Sequence, residues 1–393
     1  MSLVKIKKYN LNIDFFGTRS IYPFYSNVYN KSNHQNFLNP NQNNSLELGS
    51  TIHVVNYINP YLQLSLNDSK ISLKAFKFQL HIGFLANLHG FSNVDEYMKF
   101  KMSSKGRTKM RGYLRRLETC FNIHYKMYYG NITIADYELL FRKLHCFILN
   151  RFEERGNKHE ALENWEILKK NSYAMILDKK ASLFVIYNGE EPIDICLNYH
   201  HQNILDNAIR SYDINYSKFR LGYIDILKQL EWCFENGAEI FDLSFGDFEY
   251  KRKWCNEVYD FETQIIYNKS RFEYKAIAFG IMQLNKLKAH LKKKNVHLVY
   301  HKARKLFNRK IEVDTNKSKI LFDVTEIETI PKMETLSEID IRSDKYEFIK
   351  RPVYDFQYLN FETSQNIKVY NPINFPEVFI ISGKKKCLKI ELL

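Results

Sequence analysis

The strongest constraint on this chain lies between residues 182 and 267, where apolar runs and turn residues alternate in a fixed order. Ser182–Tyr187 and Ile193–His200 read as two strands joined by Asn188-Gly189-Glu190-Glu191-Pro192, residue types that favour a tight reversal, so the pair predicts a hairpin. A third strand follows Asn203 and runs to about Tyr212. Phe219-Arg220-Leu221-Gly222 then leads into a helix whose apolar face is Ile224, Leu227, Leu230 and Phe234, closed by Asn236-Gly237. Glu239–Ser244 is a short strand, 246–255 a turn with a short helix, and Tyr259–Tyr267 an alternating strand. The order ββ-β-α-β-α-β predicts a mixed α/β (α+β) domain over 171–270.

The flanking sequence is less regular. At 393 residues the chain suits two or three domains. Val4–Phe16 and Thr51–Leu66 read as strands and Lys74–Leu88 as a helix, giving an α/β unit over 1–102. That unit is interrupted at Asn27–Ser45, whose Asn, Gln, Ser and His content predicts a long polar loop. The stretch 103–170 holds two connecting helices. One is basic and amphipathic, opened by Ser103 and carrying Lys105, Arg107, Lys109, Arg111, Arg115 and Arg116, and reads first as a solvated face with an apolar back. The other runs Ile134–Arg155 and is capped by Gly156. Tyr274–Phe307, within 271–310, reads as one or two basic helices, and 311–393 as a small β-rich appendage of short apolar runs and Pro and Asn turns.

The formal net charge of +14 suits anionic partners. Six cysteines are scattered without a Cys-x-x-Cys pair, which argues against a disulfide framework or a structural zinc site. Charges interrupt the N-terminus too early for a secretory leader, and no apolar run approaches the roughly 20 residues of a membrane span. A cytoplasmic protein is the expectation.

Two segments carry candidate chemistry. A strand that turns at a glycine into a helix gathers free backbone N–H groups and the positive end of the helix dipole, a place for phosphate; Gly222 sits there, after Lys218 and Arg220. Phe241-Asp242-Leu243-Ser244-Phe245-Gly246-Asp247-Phe248-Glu249-Tyr250-Lys251 crowds acids, Tyr and Lys at a strand end, where α/β sheets gather their ligands. At the end of the preceding strand pair stand His200 and His201. By alternation only one of them can face a cleft, and surface placement is the expectation for both.

Gly246-Asp247-Phe248-Glu249-Tyr250-Lys251, together with the Gly222-led helix and the basic segment from Ser103, resembles the GNAT-like acyltransferases grouped with bacterial cellulose-biosynthesis and Fem-type proteins. The resemblance covers about 103–267. It implies a GNAT fold, two tandem GNAT-like units with the first degenerate, and acetyl-CoA or another acyl-CoA as co-substrate, without a metal. By the same resemblance Lys218, Phe219, Arg220, Leu221, Gly222 and Tyr223 form the donor loop, Glu249 or Asp247 is the base, and Tyr250 is the acid for the leaving thiolate. Lys251, Asp242 and His200 are implied in holding a small-molecule or carbohydrate acceptor, in envelope or polysaccharide biosynthesis. Phe219 stands where the family's phosphate loop has a basic residue and Ile224 where it has a second small one. An aminoacyl-tRNA-dependent Fem-type transferase and a non-catalytic binding protein are the alternatives.

Overall fold

In a computed structural model, residues 4–17, 20–32, 34–39, 50–67, 72–154, 156, 160–293, 322–327 and 336–393 are described. A nine-stranded sheet forms the body, built from β1 (Lys5–Asn10), β4 (Thr51–Ile58), β6 (Leu73–Asn87), β7 (Ile123–Tyr128), β8 (Ala181–Asn188), β9 (Glu191–His201), β10 (Ile204–Tyr212), β11 (Ile240–Phe245) and β12 (Glu257–Asn268). Its spatial order is β1-β4-β12-β6-β11-β10-β9-β8-β7. The expected hairpin is β8–β9, turning at Gly189 with φ +58°. Both strands are buried almost throughout, which explains their unbroken apolar character.

The strand expected at Glu239–Ser244 is β11, and the helix before it is α5 (Leu221–Glu235). α5 links β10 to β11 as a parallel crossover on one face of the sheet. On the other face lie α3 (Ile134–Glu154) and α4 (Trp165–Leu177), whose Tyr137, Leu140, Phe141, Leu144 and Ile176 pack with Leu183, Val185, Ile195 and Leu197. α1 (Val94–Lys101) and α2 (Ser104–Cys120) pack beside α5, and the Ser103 hydroxyl caps α2 by accepting from the Gly106 N–H. α6 is the short helix Glu249–Trp254, and α7 (Phe272–Lys293) follows β12 and lies against β12 and β6.

Three expectations for the first hundred residues are corrected. Lys74–Leu88 is not a helix but β6, a strand between β11 and β12; Phe76, Phe78, Leu80, Ile82 and Phe84 alternate with period two, and the long ladder to β12 overrides helical propensity. The large sheet thus runs through both expected α/β units. The polar stretch Asn27–Ser45 is not all loop. β2 (Tyr25–Asn30) pairs on one side with β3 (Gln35–Leu38) and on the other with β5 (Leu62–Leu66) in a three-stranded sheet, where Asn27 donates to Asn36 at 2.8 Å and Asn39 to the carbonyls of Tyr22 and Tyr25. The part at 40–45 lies outside the described residues. Val4–Phe16 splits into β1 and a helical turn, Asn12–Phe16.

The C-terminal region is a five-stranded antiparallel sheet, as its β-rich sequence predicts: β13 (Phe322–Ile327), β17 (Cys387–Leu392), β16 (Val378–Ser382), β15 (Lys368–Pro372) and β14 (Leu336–Glu338). It also carries a helix, α8 (Glu347–Asn360), masked in the sequence by Pro352 in its interior. α8 docks on residues 214–219 just before α5: Tyr354 meets Tyr216 with centroids 4.6 Å apart, Tyr358 meets Phe219 at 5.1 Å, and Asp355 pairs with Lys218 at 3.0 Å. Arg116 of α2 donates to the Tyr358 carbonyl at 2.6 Å and closes the joint. The basic helix expected over Tyr274–Phe307 is present as α7 to Lys293, and the remainder lies outside the described residues. Among the described residues no helix is long and apolar enough to cross a membrane.

Candidate active site

β10 and β11 are paired only from Ile204–Asp206 to Ile240–Asp242, after which the two parallel strands part. Each is irregular just beyond that point. β10 shifts register against β9 between Asn207 and Ile209, and β11 shifts against β6 between Asp242 and Phe245. Ser244 and Gly246 take φ +59° and +103°, conformations uncommon outside glycine that recur at functional strand ends. The result is a fork whose apex carries two carboxyls, Asp206 and Asp242, on neighbouring strands.

Asp242 is fully buried and densely hydrogen-bonded. It accepts from Tyr259 Oη at 2.8 Å on both oxygens, Tyr61 Oη at 3.0 Å, Asn59 Nδ2 at 3.2 Å and the Ser244 N–H at 2.7 Å. Ser244 Oγ in turn accepts from Asn12 Nδ2 at 3.0 Å. Asn12, Asn59 and Tyr61 all belong to the first hundred residues, so the N-terminal region completes the apex. Burial pushes the Asp242 carboxyl up, while the Ser244 N–H, Tyr259 and Tyr61 pull it back.

Lys251 of α6 is buried beside this carboxyl and donates to the carbonyls of Ser244, at 3.2 Å, and Phe245. Burial pushes its ammonium down to about 8, against the attraction of Asp242. Asp206 is raised well above the usual carboxylate range, first by burial and then by Asp242, with Lys251 opposing. Its Oδ1 has no hydrogen-bond partner among the described residues. A buried carboxyl with a vacant acceptor position beside a lysine of lowered pKa can take up or hand over a proton.

Further along the fork, Arg210 of β10 donates to the Gly222 carbonyl and to Asp225 Oδ1 at 2.6 Å. A Cβ on Gly222 would lie 2.9 Å from Arg210 Nη2, so a side chain there would displace the guanidinium. The Tyr250 ring faces the guanidinium with its centroid 5.3 Å away. Beneath them Asp194, Cys196 and Asp225 bring ligand atoms within 4.8 Å of one another. Arg210 already occupies Asp225, and burial, followed by the two acids, pushes the Cys196 thiol well up. Arg210 and Asp225 thus form a buried ion pair within this cluster.

The residues expected to act are dispersed by the fold. Asp242 and Lys251 meet at the apex, with Tyr250 on the arginine nearby. Asp247 lies at the surface in a two-pronged ion pair with Arg252, both contacts 2.7 Å, and Glu249 pairs with Lys253 at 2.8 Å; these partners lower both carboxyls. His200 and His201 are both buried, correcting the surface expectation: alternation sends them into opposite layers. His200 bonds to Ser182 Oγ at 2.7 Å and packs on Tyr129, while His201 meets Phe15, Phe16 and Phe37.

In the expected donor loop Phe219 is core, Lys218 is tied to Asp355, and Arg220 caps α5 at φ +61°. Leu221 is buried and Tyr223 half-buried beside Lys253. Asp206, Arg210, Asn12, Asn59, Tyr61 and Tyr259 were not singled out from sequence. Asp206 offers one local clue, a carboxylate directly after the apolar pair Ile204-Leu205.

Residues 104–252, from the start of α2 into α6, match the family model of an acetyltransferase (GNAT) domain. Among solved structures, a conserved protein of unknown function from Bacteroides thetaiotaomicron VPI-5482 aligns at 6% identity over 55% of this chain and 70% of its own, with a TM-score of 0.36. The C-terminal domain (DUF2156) of a putative lysylphosphatidylglycerol synthetase from Agrobacterium fabrum aligns at 13% identity over 59% and 71%, TM-score 0.39. FemX aligns at 11% identity over 51% and 65%, TM-score 0.39. No curated protein matches the chain significantly.

Proposed function

We propose, from the match of residues 104–252 to the family model of an acetyltransferase (GNAT) domain, that the chain transfers an acyl group from an acyl-CoA to an amine or hydroxyl at the β10–β11 fork. The observation that carries the reading is the buried group Asp206, Asp242 and Lys251 at the apex of two diverging parallel strands. Strands that part expose backbone donors and leave room for a slender donor arm. The acceptor attacks the thioester carbonyl directly: the new C–N or C–O bond forms, the C–S bond breaks, the acceptor's proton passes to a carboxyl, and the thiolate is protonated as it leaves.

Asp206 suits the proton-accepting role better than Asp247 or Glu249, because its carboxyl is buried, raised by that burial above the usual carboxylate range, and vacant on Oδ1. Asp242, held by Tyr259, Tyr61, Asn59 and the Ser244 N–H, fixes the charge beside Lys251, which holds the acceptor. Tyr250 keeps its proton, since burial raises its hydroxyl, and serves as donor to the thiolate. The α5 N-terminus from Arg220 to Tyr223 receives donor phosphates, with the exposed Arg220 in the same turn and the exposed Lys253 over the Tyr223 ring at 5.9 Å. A sugar or envelope precursor is the acceptor this reading favours, in a cytoplasmic setting.

A second reading, transfer of an aminoacyl group from charged tRNA, is favoured by the exposed Lys105, Lys109, Arg111 and Arg115 of α2 beside α5. Titration calorimetry with acetyl-CoA, longer acyl-CoA species and aminoacyl-tRNA separates the two. Binding of an acyl-CoA, with tRNA binding that vanishes at high salt, supports the first. Tight charged-tRNA binding with no acyl-CoA heat supports the second, and silence with all ligands leaves a non-catalytic protein.

A further inference from the structure

α7 has two apolar faces, and the sheet uses one. Tyr274, Ala278 and Met282 face inward against Ile52, Val54, Phe78, Ile265 and Tyr267. On the other side Ala276, Gly280, Leu284, Leu287 and Leu291 follow one another at helical spacings of four, four, three and four, with Phe272 and Phe279 along the same border. Phe272 is 80% exposed, Leu284 59% and Leu287 53%. From Gln283 to Leu291 no residue is buried; here Lys286 reaches over the Phe78 ring of the sheet at 5.9 Å, while Leu284, Leu287 and Leu291 stay exposed. Large apolar side chains concentrated in this way mark an interaction surface rather than ordinary scatter.

Charge selects the occupant. α7 carries lysines at 275, 286, 288, 292 and 293 against one acid, Glu273, within a chain of net charge +14. Lys275, Lys286 and Lys288 are exposed along the borders of the stripe. Two copies meeting through this face would bring lysine rows together with almost no acid to offset them. An anionic lipid surface offers acyl chains to the leucines and headgroup charge to the lysines, and the helix lies on it without spanning it. We propose that α7 docks the protein on anionic phospholipid membranes, with Leu284, Leu287, Leu291, Phe272 and Phe279 in the headgroup–acyl boundary. The catalytic reading plays no part in this inference.

The test is co-sedimentation of the full chain with vesicles of phosphatidylcholine alone or mixed with phosphatidylglycerol, at low and high salt. The protein is expected to sediment with the mixed vesicles, to release as salt rises, and to ignore pure phosphatidylcholine. Leu284→Glu/Leu287→Glu is expected to cut partitioning by about tenfold or more, and Leu287→Glu alone by less, with the unfolding midpoint unchanged because both side chains are exposed. Three results overturn the proposal: no sedimentation with mixed vesicles, equal sedimentation of the variants, or a wild-type dimer in light scattering that the double variant dissolves, which assigns the stripe to a second copy.

Discussion

Asp206 and Asp242 are register partners on the last paired rung of β10 and β11, both buried, one ringed by donors and the other with a vacant oxygen. Two carboxyls so placed do not ionise independently, and Asp206, whose Oδ1 lacks the donors that ring Asp242, is the one held protonated at higher pH.

The first prediction concerns rate. Asp206→Asn preserves size and leaves the Asp242 hydrogen bonds in place, so transfer is expected to fall about 100-fold or more in kcat with little change in the acceptor KM. In the wild type the acidic limb of the rate profile lies above the usual carboxylate range; in the variant that limb disappears. Steady-state assays across pH check both.

The same group fixes a stability prediction. Because the folded pKa of Asp206 is raised, its contribution is complete below the unfolded value near 3.8 and is lost as pH rises through the folded value. Asp206→Asn is therefore expected to raise the unfolding midpoint relative to wild type above that window, with the gain shrinking as pH falls toward about 4. Thermal unfolding at a series of pH values measures it.

Gly83 bears on the site from a distance. A Cβ there would meet the Tyr259 ring at 2.3 Å, and Tyr259 holds both oxygens of Asp242. Gly83→Ala is expected to cost about 1–3 kcal/mol in urea unfolding and to lower activity, and in a Tyr259→Leu background its further cost should shrink.

Phe219 shows where a family motif and this fold diverge. Its ring is packed by Phe121, Tyr216 and Tyr358, so Phe219→Arg is expected to lower stability by about 3–5 kcal/mol rather than to create a phosphate contact. Denaturant unfolding of the variant, with and without acetyl-CoA, decides it.

The strands and helix that make the fork were legible because each has a strong local pattern: the Asn188-Gly189 turn, the alternation to Tyr212, and the Ile224–Phe234 face. The apex was half legible. Asp242 and Lys251 stand in a visibly crowded motif, whereas Asp206 sits alone between Leu205 and Asn207, and Asn12, Asn59 and Tyr61 arrive from sequence about 180 or more residues away. No local rule connects such positions. The β6 strand was misread because its apolar residues are dense enough to fit either period, and only its two sheet partners decide. α8 was hidden by Pro352, which the packing of Ile349, Val353 and Phe356 outweighs.

The most direct measurement is transfer of labelled acetyl from acetyl-CoA to a panel of amine and hydroxyl acceptors, run in parallel with donor-induced thermal stabilisation for the wild type and Asp206→Asn. The fork account predicts that both proteins are stabilised by the donor, by about 2.7 kcal/mol at a hundredfold excess over Kd, while only the wild type turns over at full rate. Stabilisation of neither protein by any acyl-CoA, or equal turnover by both, contradicts it.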